Sequence, residues 1–310
     1  MADHSNLTRR RFLQMLALGA SGLILPMSSW AKRTDLIQKT IPSSQQIIPA
    51  IGLGSSRTFN VGNDLAALDN VAEVMRHFFT AGGQLIDSSP MYGSSQAAIG
   101  YGLKKLSMQD EVFSAEKVWT WDTDKGTAQM QASGELWGVD KFDLMQVHNL
   151  VGWQEHIQTL YQMKRQGNLK YVGITTSHGR SHDEFAEVMQ SQPLDFVQLS
   201  YNIIDREVEQ RLLPLAQERN IAVIVNRPFQ RGDLIDELQG KPLPSWAGEI
   251  DCRSWPPFLL KFIISHPAIT CAIPATSQVK HVQENMQACY GRLPDMAMRQ
   301  RMIDYVEKII

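Results

Sequence analysis

The chain has 310 residues, of which 20% are charged, and its formal net charge at pH 7 is −2. That length fits one barrel-sized domain, and the charge balance excludes the basic excess that nucleic-acid-binding domains show. The three cysteines, Cys252, Cys271 and Cys289, lack metal-ligand spacing. Their odd number argues against a disulfide framework, although one pair could form in an oxidising compartment.

The first 31 residues have the pattern of an export signal. Arg9 and Arg10 precede an apolar segment over 12–25, and the small residues Ser29 and Ala31 fit cleavage after Ala31. The adjacent arginines resemble the twin-arginine type, which carries folded proteins. We therefore predict a signal peptide over 1–31, a mature domain over 32–310, an interaction with the export machinery and a periplasmic or extracytoplasmic location. The alternative is an uncleaved anchor, but the apolar run is short for a span of about 20 residues.

Apolar strand-like runs then alternate with helical patterns. Leu68, Val71, Met75 and Phe78 recur at helical spacing, for example, and predict a helix with one buried face. Eight units of strand followed by helix predict an α/β fold, a single closed (β/α)8 TIM barrel with a parallel sheet. The predicted strands are Ile47–Leu53, Gln84–Asp87, Val112–Val118, Phe142–His148, Lys170–Thr175, Phe196–Tyr201, Ile221–Val225 and Thr270–Ile273.

Three local features add to this outline. Ser181 and Glu184 predict a capping box at the start of the helix that follows the fifth strand. The stretch 230–257 is predicted to be an elaborated loop, in which Trp246 and Trp255 either form a lid or pack the loop down. No Gly-x-Gly-x-x-Gly follows the first strand, so the sequence lacks the dinucleotide fingerprint of open sheets.

Polar side chains stand at the ends of three successive strands. Asp87 ends the second, Lys117 the third and His148 the fourth, and Tyr92 follows Asp87 in the next loop. Because neighbouring strand ends lie side by side at the carboxyl rim of a barrel, these four groups should converge there. A nearby ammonium favours phenolate, so we expect Lys117 to lower the pKa of Tyr92 from about 10. Asp87 would hold Lys117, and His148 would bind a substrate oxygen, which suits proton transfer during carbonyl reduction.

Each of these residues alone also has a purely structural interpretation. Asp87 could cap a loop, Tyr92 could be a half-buried rim aromatic, Lys117 a solvated charge and His148 a structural histidine. Their joint placement favours a functional cluster. His178 and His182 are four residues apart, but they flank a helix start, so we predict no metal site.

From about Ile47 to Asn285 the chain resembles the aldo/keto reductases, and Asp87, Tyr92, Lys117 and His148 match the catalytic tetrad of that family. The resemblance implies a barrel that binds NADPH or NADH without a Rossmann domain, with Tyr92 as the proton donor. It implies the following cofactor-binding residues: Thr175, Thr176, Gln198, Asn226, Arg227, Leu234, Thr276, His281, Glu284 and Asn285.

Some positions depart from the pattern of that family. Asn226 stands where an aromatic residue often stacks on the nicotinamide, and His281 stands where an arginine commonly grips the 2′-phosphate. These changes weaken the selectivity for NADPH, so NADP is the expected cofactor and NAD the alternative. Glu116 replaces the usual threonine before Lys117 and, if it faces the tetrad, would help to keep that lysine protonated.

The expected function is therefore interconversion of an aldehyde or ketone and an alcohol by hydride transfer. Two alternatives stay open: a non-catalytic binding protein on the same barrel, and a sugar hydrolase that uses Asp87 and Glu116. Trp119, Trp121 and Tyr201 are candidates for the walls of the substrate pocket, or for ordinary rim packing. Outside the cytoplasm the enzyme would need a retained cofactor or an unknown redox partner to recycle it.

Overall fold

In the computed structural model, residues 36–310 are described. The predicted signal peptide over 1–31 lies outside them. The described chain opens with an antiparallel pair, β1 (Gln38–Thr40) and β2 (Ile47–Pro49). The predicted strand Ile47–Leu53 is therefore wrong as a single element. The antiparallel pairing ends after Pro49 because the Ile37 N–H donates to the Cys289 carbonyl oxygen and the Ala50 carbonyl oxygen accepts from the Ala272 N–H. The chain then continues into the short strand β3 (Leu53–Gly54).

Eight parallel strands, β3 to β10, form one sheet in sequential order. Bridges from Ile51 to Ala272 and from Gly54 to Ala275 join the first strand to the last, so the sheet closes on itself. A Cβ built on Gly54 would lie 2.8 Å from the Ile273 carbonyl oxygen, so glycine permits this close approach. The predicted (β/α)8 barrel is confirmed. Its remaining strands are β4 (Leu85–Asp87), β5 (Phe113–Val118), β6 (Phe142–Val147), β7 (Leu169–Thr175), β8 (Phe196–Ser200), β9 (Ala222–Asn226) and β10 (Ile269–Ala272).

Helices follow the strands and cover the barrel, burying their apolar faces against the outer side of the sheet. They are α1 (Leu65–Thr80), α2 (Ser95–Leu106), α3 (Gly126–Trp137), α4 (Trp153–Arg165), α5 (His182–Ser191), α6 (Leu212–Glu218), α7 (Asp233–Leu238), α8 (Trp255–Ile264), α9 (Val279–Gln287) and α10 (Met296–Ile309). No helix in residues 36–310 is long and apolar enough to cross a membrane.

The barrel interior is apolar at one end and polar at the other. Leu85, Phe113 and Phe196 belong to the inner apolar cluster, and Ile41 and Ile48 of the β1–β2 hairpin complete it at the amino end of the strands. Side chains two residues apart on a strand share a face. Asp87 therefore points into the barrel one layer beyond Leu85, and Lys117 points into it two layers beyond Phe113. Both lie toward the carboxyl rim, which is the open end of the barrel.

The predicted capping box is wrong. Ser181 has a left-handed backbone with φ 51° and makes no capping hydrogen bond, whereas Glu184 accepts a hydrogen bond from the Trp153 indole. The left-handed conformation prevents the extended geometry that a side-chain N-cap needs.

The long connection 230–257 contains more structure than the sequence suggested, since it holds α7 and a 3₁₀ helix over Ser245–Ile250. Trp246 and Trp255 both pack on Phe258 of α8 and Tyr305 of α10, so these tryptophans hold the segment against those two helices. All three cysteines are buried free thiols, and Cys271 lies in the barrel interior.

Candidate active site

Lys117 is the centre of the polar cluster at the carboxyl rim. Its side chain is 0% exposed, and its Nζ donates to Asp87 Oδ1 at 2.6 Å, to Asp87 Oδ2 at 2.7 Å and to the Ser88 carbonyl oxygen at 2.6 Å. An ammonium has three hydrogens, so all of its donors are used. Burial alone lowers the pKa of Lys117, but Asp87, Tyr92 and Glu116 together more than offset it, and the net pKa is raised. Lys117 is therefore a fixed positive charge.

Tyr92 lies at the end of a 3₁₀ turn over Pro90–Tyr92, where Ser89 accepts a hydrogen bond from the Met91 amide. The Lys117 Nζ lies 5.5 Å from the centroid of the Tyr92 ring. Because the hydrogens of Lys117 are engaged elsewhere, it acts on the phenol through its charge. The prediction that the pKa of Tyr92 is lowered is wrong in sign: burial raises it, and the opposing effect of Lys117 is smaller. The phenol is therefore protonated at neutral pH.

His148 follows β6 and lies edge-on to Tyr92, with ring centroids 5.8 Å apart and planes at 88°. Its Nδ1 is 2.8 Å from Ser89 Oγ. Burial and the Lys117 charge lower the pKa of His148 to about 3, so the imidazole is neutral at physiological pH. No hydrogen bond to Nε2 is found within residues 36–310, which leaves that nitrogen for a ligand.

Glu116 does not face the tetrad. Successive side chains on a strand point to opposite faces, and its carboxylate lies behind Lys117, where Gln96 and Trp137 donate to Oε2 at 2.9 and 2.8 Å. The backbone N–H of Lys117 donates to Oε1 at 2.8 Å. Burial raises the pKa of Glu116 to about 7. The proposed Asp87–Glu116 hydrolase pair is excluded, because the two carboxylates do not face one cavity.

Two adjoining cavities open above the cluster. The first, of about 330 Å³, is lined by His148, Tyr92 and Thr175, and we call it the His148 chamber. The second, of about 410 Å³, is lined by Asp87, Ile273 and Ala275, and we call it the Ile273 chamber. They share Ser56, Arg57, Tyr92, Gln198, Asn226, Arg227 and Arg231. Together they form an elongated space across the rim.

Five of the predicted cofactor residues line these chambers: Thr175, Thr176, Gln198, Asn226 and Arg227. Gln198 Nε2 donates to Asp87 Oδ2 at 2.8 Å, so this amide also belongs to the tetrad network. Asn226 Nδ2 donates to the Thr176 carbonyl oxygen at 2.9 Å, and its Oδ1 accepts from Ser200 at 2.7 Å.

The other predicted cofactor residues lie elsewhere. Leu234, on α7, is 0% exposed and lies in the core. The Thr276 hydroxyl accepts a hydrogen bond from the backbone N–H of Gln278. His281, Glu284 and Asn285 lie on α9, which begins shortly after β10. None of these five residues lines either chamber.

The space fits a dinucleotide in two respects. The chambers are contiguous along the rim, and the buried Nε of Arg227 has no hydrogen-bond partner among the described residues. An anionic group such as a phosphate would satisfy that donor.

Sequence reasoning missed several residues at the site. Ser89 orients both Tyr92 and His148, and Arg57, Arg180 and Arg231 line the chambers. The signal for the arginines was available, because each lies in a loop that follows a barrel strand. Trp119 and Trp121 line neither chamber, and Tyr201 is buried against Glu209 and Arg299. These three aromatic residues are therefore not pocket walls. No cluster of metal ligands is found in residues 36–310.

A closed (β/α)8 barrel with an acid–base cluster at its carboxyl rim defines a barrel enzyme. The chain belongs to the aldo/keto reductase family, whose family model matches residues 50–303. It is therefore an NAD(P)H-dependent oxidoreductase of that type.

The chain shares about a quarter of its aligned residues with two curated reductases. The chain is 25% identical to the methylglyoxal reductase YeaE of Escherichia coli over 254 residues, covering 80% of this chain and 88% of that protein. It is 26% identical to the NADH-specific methylglyoxal reductase of the same organism over 230 residues, covering 64% and 67%. An aldo-keto reductase from Klebsiella pneumoniae solved with NADPH superimposes with a TM-score of 0.72 at 21% identity, covering 87% of this chain and 96% of the other.

Proposed function

We propose that this protein reduces an aldehyde or ketone to an alcohol, and catalyses the reverse, with Tyr92 as the proton donor. The observation that carries the proposal is that a protonated phenol and a neutral imidazole line one cavity, with a fixed ammonium 5.5 Å from the centroid of the phenol ring. Two relatives named as methylglyoxal reductases support a small carbonyl compound as substrate.

We expect NADP as the cofactor, with NAD as the alternative, since one relative is named as NADH-specific. Gln198, Asn226 and Arg227 would hold it in the chambers, with Thr175 and Thr176 beside them. When bound, the cofactor supplies the hydride that the carbonyl carbon receives.

The residues of the chain handle the proton. Tyr92 Oη gives its proton to the carbonyl oxygen as the carbon accepts the hydride, and the phenolate that remains lies next to the Lys117 charge. That charge stabilises the phenolate more than the phenol, so its effect is largest when the proton has moved. The Nε2 of neutral His148 donates a hydrogen bond to the same oxygen and orients it. Asp87 keeps Lys117 in place and charged.

Tyr92→Phe tests the proposal, because it removes the proton donor and keeps the ring. We expect the rate of NADPH oxidation with a panel of aldehydes to fall at least about 10³-fold, while NADPH binding changes little. Activity within a few-fold of the wild type would contradict the role of Tyr92. Binding of NADPH with no turnover in the wild type would favour the non-catalytic alternative.

We also propose that residues 1–31 direct export to the periplasm. The pattern around Arg9 and Arg10 supports this, and the expected partner is the machinery that exports folded proteins. Replacing both arginines with lysine should leave the protein in the cytoplasmic fraction of cells. Periplasmic recovery of the double variant would contradict the twin-arginine route.

A further inference from the structure

The lining of the His148 chamber is strongly cationic. Four arginines contribute to it, Arg57, Arg180, Arg227 and Arg231, and we call them the arginine mouth. His178 lies among them, and no aspartate or glutamate lines this chamber within residues 36–310. The whole chain has a net charge of −2, so the mouth is a local concentration of positive charge.

These charges lack partners of opposite sign. None of the four arginines forms an ion pair with another residue of the described chain. Asp205 and Asp233 act on Arg227 only at longer range, and burial together with Arg231 lowers the pKa of Arg227. Burial, followed by Arg227, Arg231 and Arg180, likewise lowers the pKa of His178. The positive groups therefore repel one another, and an anion would relieve that repulsion.

The backbone at the mouth is also unusual. Arg57, Arg227 and Arg231 have φ of 66°, 51° and 68°, and His178 has 64°. Such left-handed conformations are uncommon for residues other than glycine and collect at functional sites. They hold several long cationic side chains in tight loops around one opening.

Arg180 differs from the other three arginines. Arg57, Arg227 and Arg231 line both chambers, whereas Arg180 lines only the chamber that holds His148. Its loop is fixed, because the Thr176 hydroxyl donates to the Arg180 carbonyl oxygen at 2.6 Å. Arg180 therefore lies on the side of His148 and outside the lining of the Ile273 chamber.

Resting on the proposed function, we propose that the substrate is an anionic carbonyl compound, whose carboxylate or phosphate is bound at the arginine mouth by Arg180, while Arg227 is left to the cofactor. The carbonyl oxygen then faces Tyr92 and His148. Guanidinium groups suit this task because they bind carboxylate and phosphate in a bidentate manner.

The test compares two aldehydes that differ in charge, 4-formylbenzoate and its neutral methyl ester, with the full-length protein and NADPH. We expect the wild type to prefer the carboxylate. Arg180→Gln should lower kcat/KM at least about tenfold for 4-formylbenzoate and less than about twofold for the ester. Arg180→Lys should keep part of the preference. The matched control is Arg219→Gln, an exposed arginine at the other end of the barrel, which should change neither substrate.

Two results would overturn the proposal. One is equal use of both aldehydes by the wild type. The other is an equal loss for both aldehydes in Arg180→Gln together with a weaker Kd for NADPH, because Arg180 would then bind the phosphates of the cofactor.

If no aldehyde is reduced at all, the proposed function fails, and calorimetry with 4-(hydroxymethyl)benzoate decides the anion site separately. Binding that Arg180→Gln abolishes would support the site, and absence of binding to the wild type would contradict it.

Discussion

The charged residues beneath the cavity, Lys117 and Asp87, which we call the floor, differ from the arginine mouth in how their charges are paired. In the floor, Lys117 and Asp87 are fully buried or nearly so and bind each other directly. In the mouth, the four arginines have no carboxylate partner within residues 36–310. A buried charge must be paired within the fold, whereas a charge at an opening can remain available for a ligand. In the proposed function, the floor would assist proton transfer and the mouth would bind the anionic group of the substrate.

The largest expected effect comes from breaking the pair in the floor. Lys117→Met leaves Asp87 buried without its ammonium and should destabilise the fold by about 3–5 kcal/mol, and activity should fall about 10²–10⁴-fold. The double variant Asp87→Asn/Lys117→Met should recover most of the stability in urea unfolding but none of the activity. A single variant as stable as the wild type would show that the pair is not buried as described.

The next effect concerns the contribution of His148 to the stability of the fold at acidic pH. Its pKa is about 3 in the fold and about 6.5 when unfolded, so its contribution to stability is fully present above pH 6.5 and is lost as pH falls toward 3. The full loss is on the order of 5 kcal/mol. His148→Asn should flatten this part of the curve of unfolding free energy against pH. His281→Asn, at an exposed histidine, is the control and should leave the curve unchanged.

Glu116 has the opposite dependence. Its pKa is about 7 in the fold and about 4.5 when unfolded, so its contribution is fully present below pH 4.5 and is lost as pH rises through 7. Glu116→Gln should be less stable than the wild type at pH 5, because donors approach both Glu116 oxygens and the NH2 group of glutamine would face one of them. The difference in unfolding free energy between the variant and the wild type should become smaller by about 3 kcal/mol above pH 7. A gap that is constant with pH, as expected for the exposed control Glu187→Gln, would contradict the shift.

The smallest effect concerns Ser89, which positions the ring of His148. Ser89→Ala should cost about 1 kcal/mol in stability and lower kcat about tenfold, with KM changed less. Ser181→Ala should change neither quantity, since Ser181 makes no capping bond. Equal effects of the two variants would mean that the hydrogen bond from Ser89 to His148 does not position the ring.

The fold could be predicted largely from sequence because apolar runs and helical spacing repeat eight times. The prediction of Ile47–Leu53 as one strand failed because a continuous apolar run does not show where the pairing with β1 ends and the pairing with the barrel begins. The four tetrad residues converge as expected, since strand order fixes which ends are neighbours.

What the sequence did not provide were quantities set by packing. The sign of the pKa shift of Tyr92 depends on whether burial, which raises the pKa, outweighs the Lys117 charge, which lowers it. A motif does not show the size of either effect. Glu116 turned out to face away because one residue of register decides the face of a strand. The arginine mouth is assembled from three separate loops, so the sequence shows that each arginine follows a barrel strand but not that the four side chains line one cavity.

The central claim is that the Lys117 charge favours the phenolate of Tyr92. Titration of ¹³C-labelled tyrosine by NMR, with Tyr92→Phe to assign the signal, measures the pKa of Tyr92 directly. We expect a higher pKa for Tyr92 in Lys117→Met than in the wild type, with the signal of Tyr171 unchanged. An equal or lower pKa for Tyr92 in Lys117→Met would contradict it.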